Sequence, residues 1–377
     1  MMRMLTGNCP DGGMCEDNIG TAANPSCPLC GTLGNAIYEE LQDRIGDAPG
    51  QWTLKRCSAE PCGILWLDPM PKPDDIWKAY RTYYTHSDYP VSQLKQDWAR
   101  RIFRGVMSRV RASYISLKYK YPVGHNRWSA LPLGCMAYVM PWRRSQWDLS
   151  VMFLPSVQGG NLLEVGCGSG DLLVGLRELG WNVEGIDVDP LAVENSMRRG
   201  LNVRQGTLEA LGYADNTFDA IIMSHVIEHV HDPISLLSEC FRILKPGGQL
   251  SLVTPNAQSF CHRMFGRAWL ALDPPRHLHI FTLNALQAVM HRSGFHRARV
   301  FNTVRDADGT FVASSSIQRT GHFKMRSSQP YPAKILGRVV QVVEWLLTTL
   351  DTSAGEELSV VAQKTTITGA LADLQGN

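Results

Sequence analysis

Long apolar runs are missing from this chain. No stretch reaches the roughly eighteen uninterrupted apolar residues that a membrane span needs, so none is expected. Net charge is nearly absent too, at a formal +2 over 377 residues, which argues against a bulk nucleic-acid binder. The first residues carry no basic patch followed by an apolar run, so no secretory leader is expected and a cytoplasmic setting is. In that setting ten cysteines read as reduced thiols or metal ligands, not as a disulfide framework. What is plentiful is apolar composition, 44%, enough for a real core in a chain long enough for two units.

Residues Leu162-Leu163-Glu164-Val165-Gly166-Cys167-Gly168-Ser169-Gly170-Asp171-Leu172-Leu173 pass from an apolar run through an acid and three spaced glycines into a helical pattern. That order reads as strand, tight turn and helix N-terminus, with glycines that let backbone approach a ligand closely. The spacing is G-x-G-x-G, not the G-x-G-x-x-G of a dinucleotide site, and the acid at the strand end suits a cationic ligand better than a pyrophosphate. Val183–Asp187 reads as a second strand ending in an acid that can accept ribose hydroxyls. Phe218–Ser224 reads as a further strand, followed by His225, Glu228 and His229. Leu244-Lys245-Pro246-Gly247-Gly248 reads as a helix end and turn, Gln249–Thr254 as the next strand, and Gly355–Lys364 as the last. Each signal alone has a plainer meaning. The glycines could serve the turn only, Asp187 could cap a helix opening at Pro190, and the histidines could be packing.

Taken together and in this order, these elements over residues 150–364 resemble the class I S-adenosylmethionine (SAM)-dependent methyltransferases, including their ubiquinone-pathway branch. The resemblance implies an α/β fold with a doubly wound, mostly parallel seven-stranded sheet. It implies SAM as cofactor, with Glu164, Gly166, Gly168 and Gly170 under the methionine part and Asp187 on the ribose. Val188, Thr207 and Leu208 would border the adenine. Many members carry an acid where this chain has Thr207. Ser224 and His225 would line the transfer channel. In Asp273-Pro274-Pro275-Arg276-His277-Leu278-His279-Ile280-Phe281-Thr282, His277 would face the acceptor and His279 would be structural. His277 and His225 are the candidate catalytic bases, histidine being suited to proton removal near neutral pH. The ubiquinone-pathway enzymes share an acid-x-x-Glu-His pattern tied to a divalent metal. The matching residues here are His225, Glu228 and His229, and the first ligand type differs.

A second motif lies upstream. Cys27-Pro28-Leu29-Cys30 is a tight thiol clip, and Cys57 and Cys62 form a looser one. Four thiolates can close a tetrahedral zinc shell and let a small segment fold with little core of its own. This arrangement, followed by Leu65-Trp66-Leu67-Asp68-Pro69-Met70-Pro71 and the aromatic stretch Ile76–Tyr84, resembles the amino-terminal zinc-ribbon module of some bacterial class I methyltransferases. A closed four-sulfur shell implies an architectural metal. Cys9 and Cys15 have no known clip spacing.

The expected organisation is a loose tail over 1–25, the ribbon-like module over 26–90 and a helical linker over 91–150. A SAM-binding core follows over 151–303, then an insertion with an amphipathic helix over 304–354 and the last strand and tail over 355–377. Core strands are expected near 161–166, 182–187, 201–205, 218–224, 249–254 and 297–303, alternating with helices near 170–179, 190–199, 232–244 and 282–293. Residues 95–144 hold eleven Lys or Arg, a single acid (Asp97) and interleaved aromatics. They fit a solvated linker whose aromatics pack inward, an anionic membrane or lipid contact, or a nucleic-acid face. Ala333–Leu350 has apolar residues at helical spacing, expected to dock as an amphipathic helix, with a lid, a dimer helix or an interfacial anchor as alternatives. Three functions compete. One is methylation of a hydroxyl or carbon on a small metabolite or sugar-type acceptor. Another is RNA methylation using the ribbon and the basic segment. The last is a noncatalytic SAM-binding module.

Overall fold

Alternation along the first core strand sets the architecture. In a computed structural model of the chain, which describes residues 18–81, 98–122, 127–325 and 330–365, Leu162 packs on one side of the sheet and Leu163 on the other. Ile221 and Ile222 divide in the same way. A strand buried on both faces needs helices above and below, which is the doubly wound layout. Several expectations lie outside the described residues: the Cys9 and Cys15 pair, the aromatic stretch beyond Arg81, Asp97, and the tail from 366 onward. So do the side chains of Trp98, Phe103 and Trp128.

In chain order the strands are β1 (Thr21–Ala22), β2 (Gly34–Leu41), β3 (Trp52–Cys57), β4 (Leu65–Leu67), β5 (Met70–Pro71), β6 (Asn161–Val165), β7 (Asn182–Asp187), β8 (Asn202–Gln205), β9 (Phe218–Ser224), β10 (Leu244–Pro255), β11 (His279–Ile280), β12 (Arg299–Thr303) and β13 (Glu357–Gln363). The α-helices are α1 (Trp98–Tyr119), α2 (Arg127–Cys135), α3 (Pro141–Leu149), α4 (Asp171–Glu178), α5 (Pro190–Arg198), α6 (Leu208–Leu211), α7 (Pro233–Ile243), α8 (Phe260–Phe265), α9 (Leu283–Arg292), α10 (Ala307–Thr320) and α11 (Tyr331–Leu347). The main sheet runs β12-β13-β10-β9-β6-β7-β8. Its neighbours from β10 to β8 are parallel, and β13 runs antiparallel to both β10 and β12. The reversed β13 therefore starts at the edge where the parallel strands end, and Glu357 sits opposite Pro255. In α/β sheets that edge is where ligands bind.

Helix starts follow side-chain capping. Asp189 accepts from Leu191 N ahead of Pro190, Asp232 from Ser235 N and Thr282 from Ala285 N. Asp189, not Asp187, is thus the cap of α5, and Asp187 is left for other work.

The linker packs inward. Tyr114 and Tyr119 both donate to Asp148, at 2.7 and 2.8 Å, and Lys118 pairs with the same carboxylate at 2.9 Å. Tyr121 accepts from Trp181 Nε1 at 2.9 Å. These aromatics are buried and offer no stacking platform.

The upstream module is joined to the core by a shared sheet. Strands β2, β3 and β4 form an antiparallel ribbon, and β11 adds to its edge through Trp66↔His279 and Leu65↔Ile280. Among the described residues no helix is long and apolar enough to cross a membrane.

Candidate active site

Three glycines at the end of β6 all take positive φ: +70° at Gly166, +51° at Gly168 and +74° at Gly170. Gly168 faces open space, with no protein atom within 4 Å of where a Cβ would stand. Asp187, at the end of β7, accepts from Gly168 N at 2.8 Å and from Asp189 N at 2.9 Å, which ties the loop to the second strand. Glu164 is 3% exposed and its Oε2 has no hydrogen-bond partner among the described residues. Burial, then the nearby Asp187 and Asp171 charges, push its pKa well above the usual carboxylate range. Burial also raises Asp187. Two acids beside an open glycine turn, one with an orphaned oxygen, fit a ligand bearing a cationic amine and hydroxyls. Val188 is exposed beside them. Thr207 caps α6 by accepting from Ala210 N at 3.3 Å. The Leu208 side chain is buried in the core, so only its backbone could face a ligand. Ser224 is half-buried at the end of β9.

His225 follows in a left-handed conformation, φ +55°, uncommon for a residue with a side chain. The turn sets its ring between two buried carboxylates. Nδ1 lies 3.1 Å from Glu228 Oε1 and Nε2 2.9 Å from Glu357 Oε1. Arg305 also donates to Glu357, at 2.8 Å. Burial pulls the His225 pKa down, but the two carboxylates outweigh it and hold it at about 10. Burial pushes both acids up, yet His225 (for Glu228) and Arg305 with His225 (for Glu357) bring each to about 2. That raised pKa favours the charged ring, a setting that suits a cationic partner of the two acids better than a proton acceptor, and Arg305 Nη2 also lies 3.2 Å from Nε2.

His277 has the opposite setting. Its Nδ1 is 2.7 Å from the Ala271 carbonyl, to which it donates, and its Nε2 lies 4.0 Å from Asp273 Oδ2. The His277 ring stands edge-on to His229, centroids 4.7 Å apart. His229 Nδ1 lies 3.0 Å from the Arg276 carbonyl and 3.0 Å from the Tyr80 hydroxyl. Burial, then His277, lower the His229 pKa to about 4. Ligand atoms of Glu228, His229 and His277 all fall within 4.8 Å of one another, a set that could hold a proton or a divalent cation. The trio that matches the ubiquinone-pathway pattern, His225 with Glu228 and His229, is split: His225 Nδ1 reaches Glu228, but Glu228 and His229 group with His277. His225 clusters with Asp306 and Glu357 instead.

The cysteine clips come together as expected. All four Sγ atoms of Cys27, Cys30, Cys57 and Cys62 lie within 4.8 Å of one another, with Cys30–Cys57 at 3.4 Å and Cys27–Cys62 at 3.8 Å. A tetrahedral shell with Zn–S bonds of ~2.3 Å has sulfur–sulfur edges of about 3.8 Å, so the thiols fit zinc. The clip docks on the core: Thr282 donates to Cys62 O at 2.5 Å and Arg292 to Leu29 O at 2.5 Å.

Sequence reasoning missed Asp43, Tyr80, Arg305 and Glu357 and gave Arg276 no role. Arg276 is fully buried and clamps Asp43 of the ribbon (2.6 and 2.8 Å) to Asp273 of the His277 segment (2.6 Å). The adjacent acids Glu356-Glu357 at the head of an apolar strand were the one visible signal for the His225 partner.

A family profile described as a methyltransferase domain matches residues 141–298. The ubiquinone biosynthesis O-methyltransferase of Cereibacter sphaeroides (strain ATCC 17029 / ATH 2.4.9) is 32% identical over 187 residues, covering 43% of this chain and 75% of that protein. The protein of the same name from Pseudomonas fluorescens (strain Pf0-1) is 36% identical over 135 residues, covering 33% of this chain and 58% of that one. A solved SAM-dependent methyltransferase from Mesorhizobium loti overlays with TM-score 0.42 at 19% identity, covering 58% of this chain and 97% of that one. With the seven-stranded sheet order, the glycine turn at its ligand edge and a curated relative matched over three quarters of its length, the chain belongs to the class I SAM-dependent methyltransferases.

Proposed function

We propose that this methyltransferase acts on a hydroxyl, or an activated carbon, of a small metabolite or sugar-type acceptor, with His277 Nε2 taking the acceptor proton. The observation that carries the reading is that His277 Nδ1 is committed to the Ala271 carbonyl, which leaves Nε2 as the ring's acceptor, in a group with Glu228 and His229. The printed names of the curated relatives, O-methyltransferases, agree with a hydroxyl acceptor. SAM, when bound, supplies a methyl group already activated by its sulfonium. Glu164 and the Gly166–Gly170 backbone receive its cationic end, Asp187 accepts from the ribose hydroxyls, and Val188 with the Thr207–Leu208 backbone borders the base. Ser224 lines the approach. His225, bridging Glu228 and Glu357 through its two ring nitrogens, is read as the residue that holds both acids in place, not as the base. What the residues must do is align donor with acceptor and remove one proton. Cys27, Cys30, Cys57 and Cys62 hold a structural zinc.

A second reading has the Glu228, His229 and His277 group hold a divalent cation that polarises the acceptor oxygen. Activity lost on chelation and restored by magnesium or manganese would favour it.

Calorimetric titration of SAM and its demethylated product comes first. Asp187→Asn should weaken SAM binding at least about tenfold while leaving the melting temperature within a few degrees. Labelled SAM offered with hydroxylated metabolites and with RNA then identifies the acceptor class. His277→Ala should leave SAM affinity unchanged and slow transfer by ~10²–10⁴-fold. Wild-type transfer by that variant removes His277 as base. Label appearing only in RNA removes the metabolite reading, and no SAM binding by folded protein leaves a noncatalytic module.

A further inference from the structure

Helix α11 turns its polar side inward. Its buried residues are Gly337, Gln341 and Glu344, while Ile335, Leu336, Val339, Val343 and Leu346 stay exposed. For Gln341 the cause is plain, since its amide donates to the Val304 and Arg305 carbonyls. Glu344 has no such partner. It is 0% exposed, Oε1 makes no hydrogen bond, and Oε2 has the Cys261 thiol at 4.0 Å. Glu356, just ahead of β13, is in the same state. It is 2% exposed, Oε1 accepts from Trp269 Nε1 at 2.7 Å, and Oε2 makes no hydrogen bond.

Two buried carboxyls with orphaned oxygens are costly unless something positive stands between them. The charges that act on this pair are those of neighbouring acids. The arginines of the two helices involved are committed elsewhere, Arg263 of α8 to Asp351 at 2.7 Å and Arg338 of α11 to Asp308 at 2.6 Å. Protons would neutralise the acids without ending the deficit, because a carboxyl proton is itself a donor and no acceptor meets either orphaned oxygen. A cation does both. The third side of the space is Cys261 in α8, also fully buried. One ligand atom from each of Cys261, Glu344 and Glu356 lies within 4.8 Å of the others. Around a tetrahedral zinc, thiolate and carboxylate donors stand about 3.4–3.6 Å apart, so closing the set takes shifts of about an ångström. Glu344 can bind through both oxygens, which brings the donors to four, and the Trp269 N–H is the outer hydrogen bond that orients Glu356.

We propose that Cys261, Glu344 and Glu356 form an enclosed metal site, separate from the four-cysteine clip, for a divalent transition cation that accepts sulfur and oxygen together, as zinc does. The ligands come from α8, from α11 and from the lead-in to β13, so the cation ties the 304–354 insertion to the ligand edge of the main sheet. It also gives α11 a reason to face inward with its acid. Free of metal, the same carboxyls keep their protons, and the cation displaces these and the thiol proton into solvent. This goes beyond the acceptor reading and does not depend on it, since none of the three residues belongs to the SAM or histidine groups.

The test is metal analysis of the full chain, made in zinc-supplemented medium and freed of loose metal by gel filtration. Wild type should carry a zinc ion here besides the one in the clip. Glu344→Gln and Cys261→Ala should each carry one ion fewer than wild type, and Glu344→Gln combined with Cys27→Ser should carry almost none. Unchanged circular dichroism and SAM affinity in Glu344→Gln show that the loss is local. Equal zinc content in wild type and both single variants overturns the proposal, because any further ion then sits elsewhere, as at Glu228, His229 and His277. An acceptor found not to be a hydroxyl would leave the zinc count untouched.

Discussion

His225 shows how two carboxylates decide what a histidine can do. Its charge is held by Glu228 and Glu357, so its pKa near 10 is a stability statement as well. A histidine raised on folding stabilises fully below its unfolded value of about 6.5, and that contribution is lost as pH rises through about 10. The lowered acids act in the other direction, losing their contribution as pH falls through about 2. Glu357→Gln leaves the ring one carboxylate. Its pKa, followed by the imidazole proton resonances, should drop clearly below 10, and an unmoved value would mean that Glu357 does not hold it. The site was only half legible at this scale. Glu164, Gly166, Gly168, Gly170 and Asp187 announce themselves because backbone conformation and strand ends constrain them locally. Glu357 lies 132 residues from His225, and nothing local marks a residue that acts through so distant a contact.

At the scale of elements, the seven strands and their helices were readable because strand and helix periods differ and Asp189, Asp232 and Thr282 cap where expected chain reversals occur. Helix α10 was not, since its Gly- and Ser-containing stretch lacks a clear apolar period. For α11 the helix was legible and its facing was not. Apolar spacing predicts docking by the apolar side, whereas Gln341 anchors the polar side by donating to the Val304 and Arg305 carbonyls at 2.7 and 2.8 Å. Glu344 then lies against Glu356 and Cys261. Burial, and for each a neighbouring acid, lift Glu344 to about 9 and Glu356 to about 8. Acids raised on folding favour the folded state below about 4.5, and that advantage is lost as pH rises to about 9. The melting temperature should therefore fall over this range, and Glu344→Gln should make the fall shallower. Parallel profiles for the two proteins would show that Glu344 ionises freely.

For the whole molecule, the decisive join is between ribbon and core. Ile64 and Trp66 pack in the same cluster as Leu163 and Phe281, and the Arg276 clamp spans the two parts. Breaking one partner of such a buried pair costs about 3–5 kcal/mol, so the Arg276 clamp couples the ribbon to the His277 segment. Cys27→Ser should lower bound zinc, measured by metal analysis, and amide exchange should quicken in β2–β4 and in β11 while β9 stays protected. Unchanged exchange in β11 after zinc loss would show that the clip does not support the core. The sequence pattern displayed both motifs but not their union, because a two-residue strand such as His279–Ile280 has no periodicity to read.

That union has a timetable. All the thiols of the clip are present once Cys62 has been made, but the edge of β4 waits for a partner about 200 residues further along the chain. At ~5–20 residues per second, a nascent ribbon keeps that edge bare for roughly 10–40 s. An open edge is an invitation to foreign strands. The brevity of β4, three residues long, limits how much any of them could grip before the proper strand arrives.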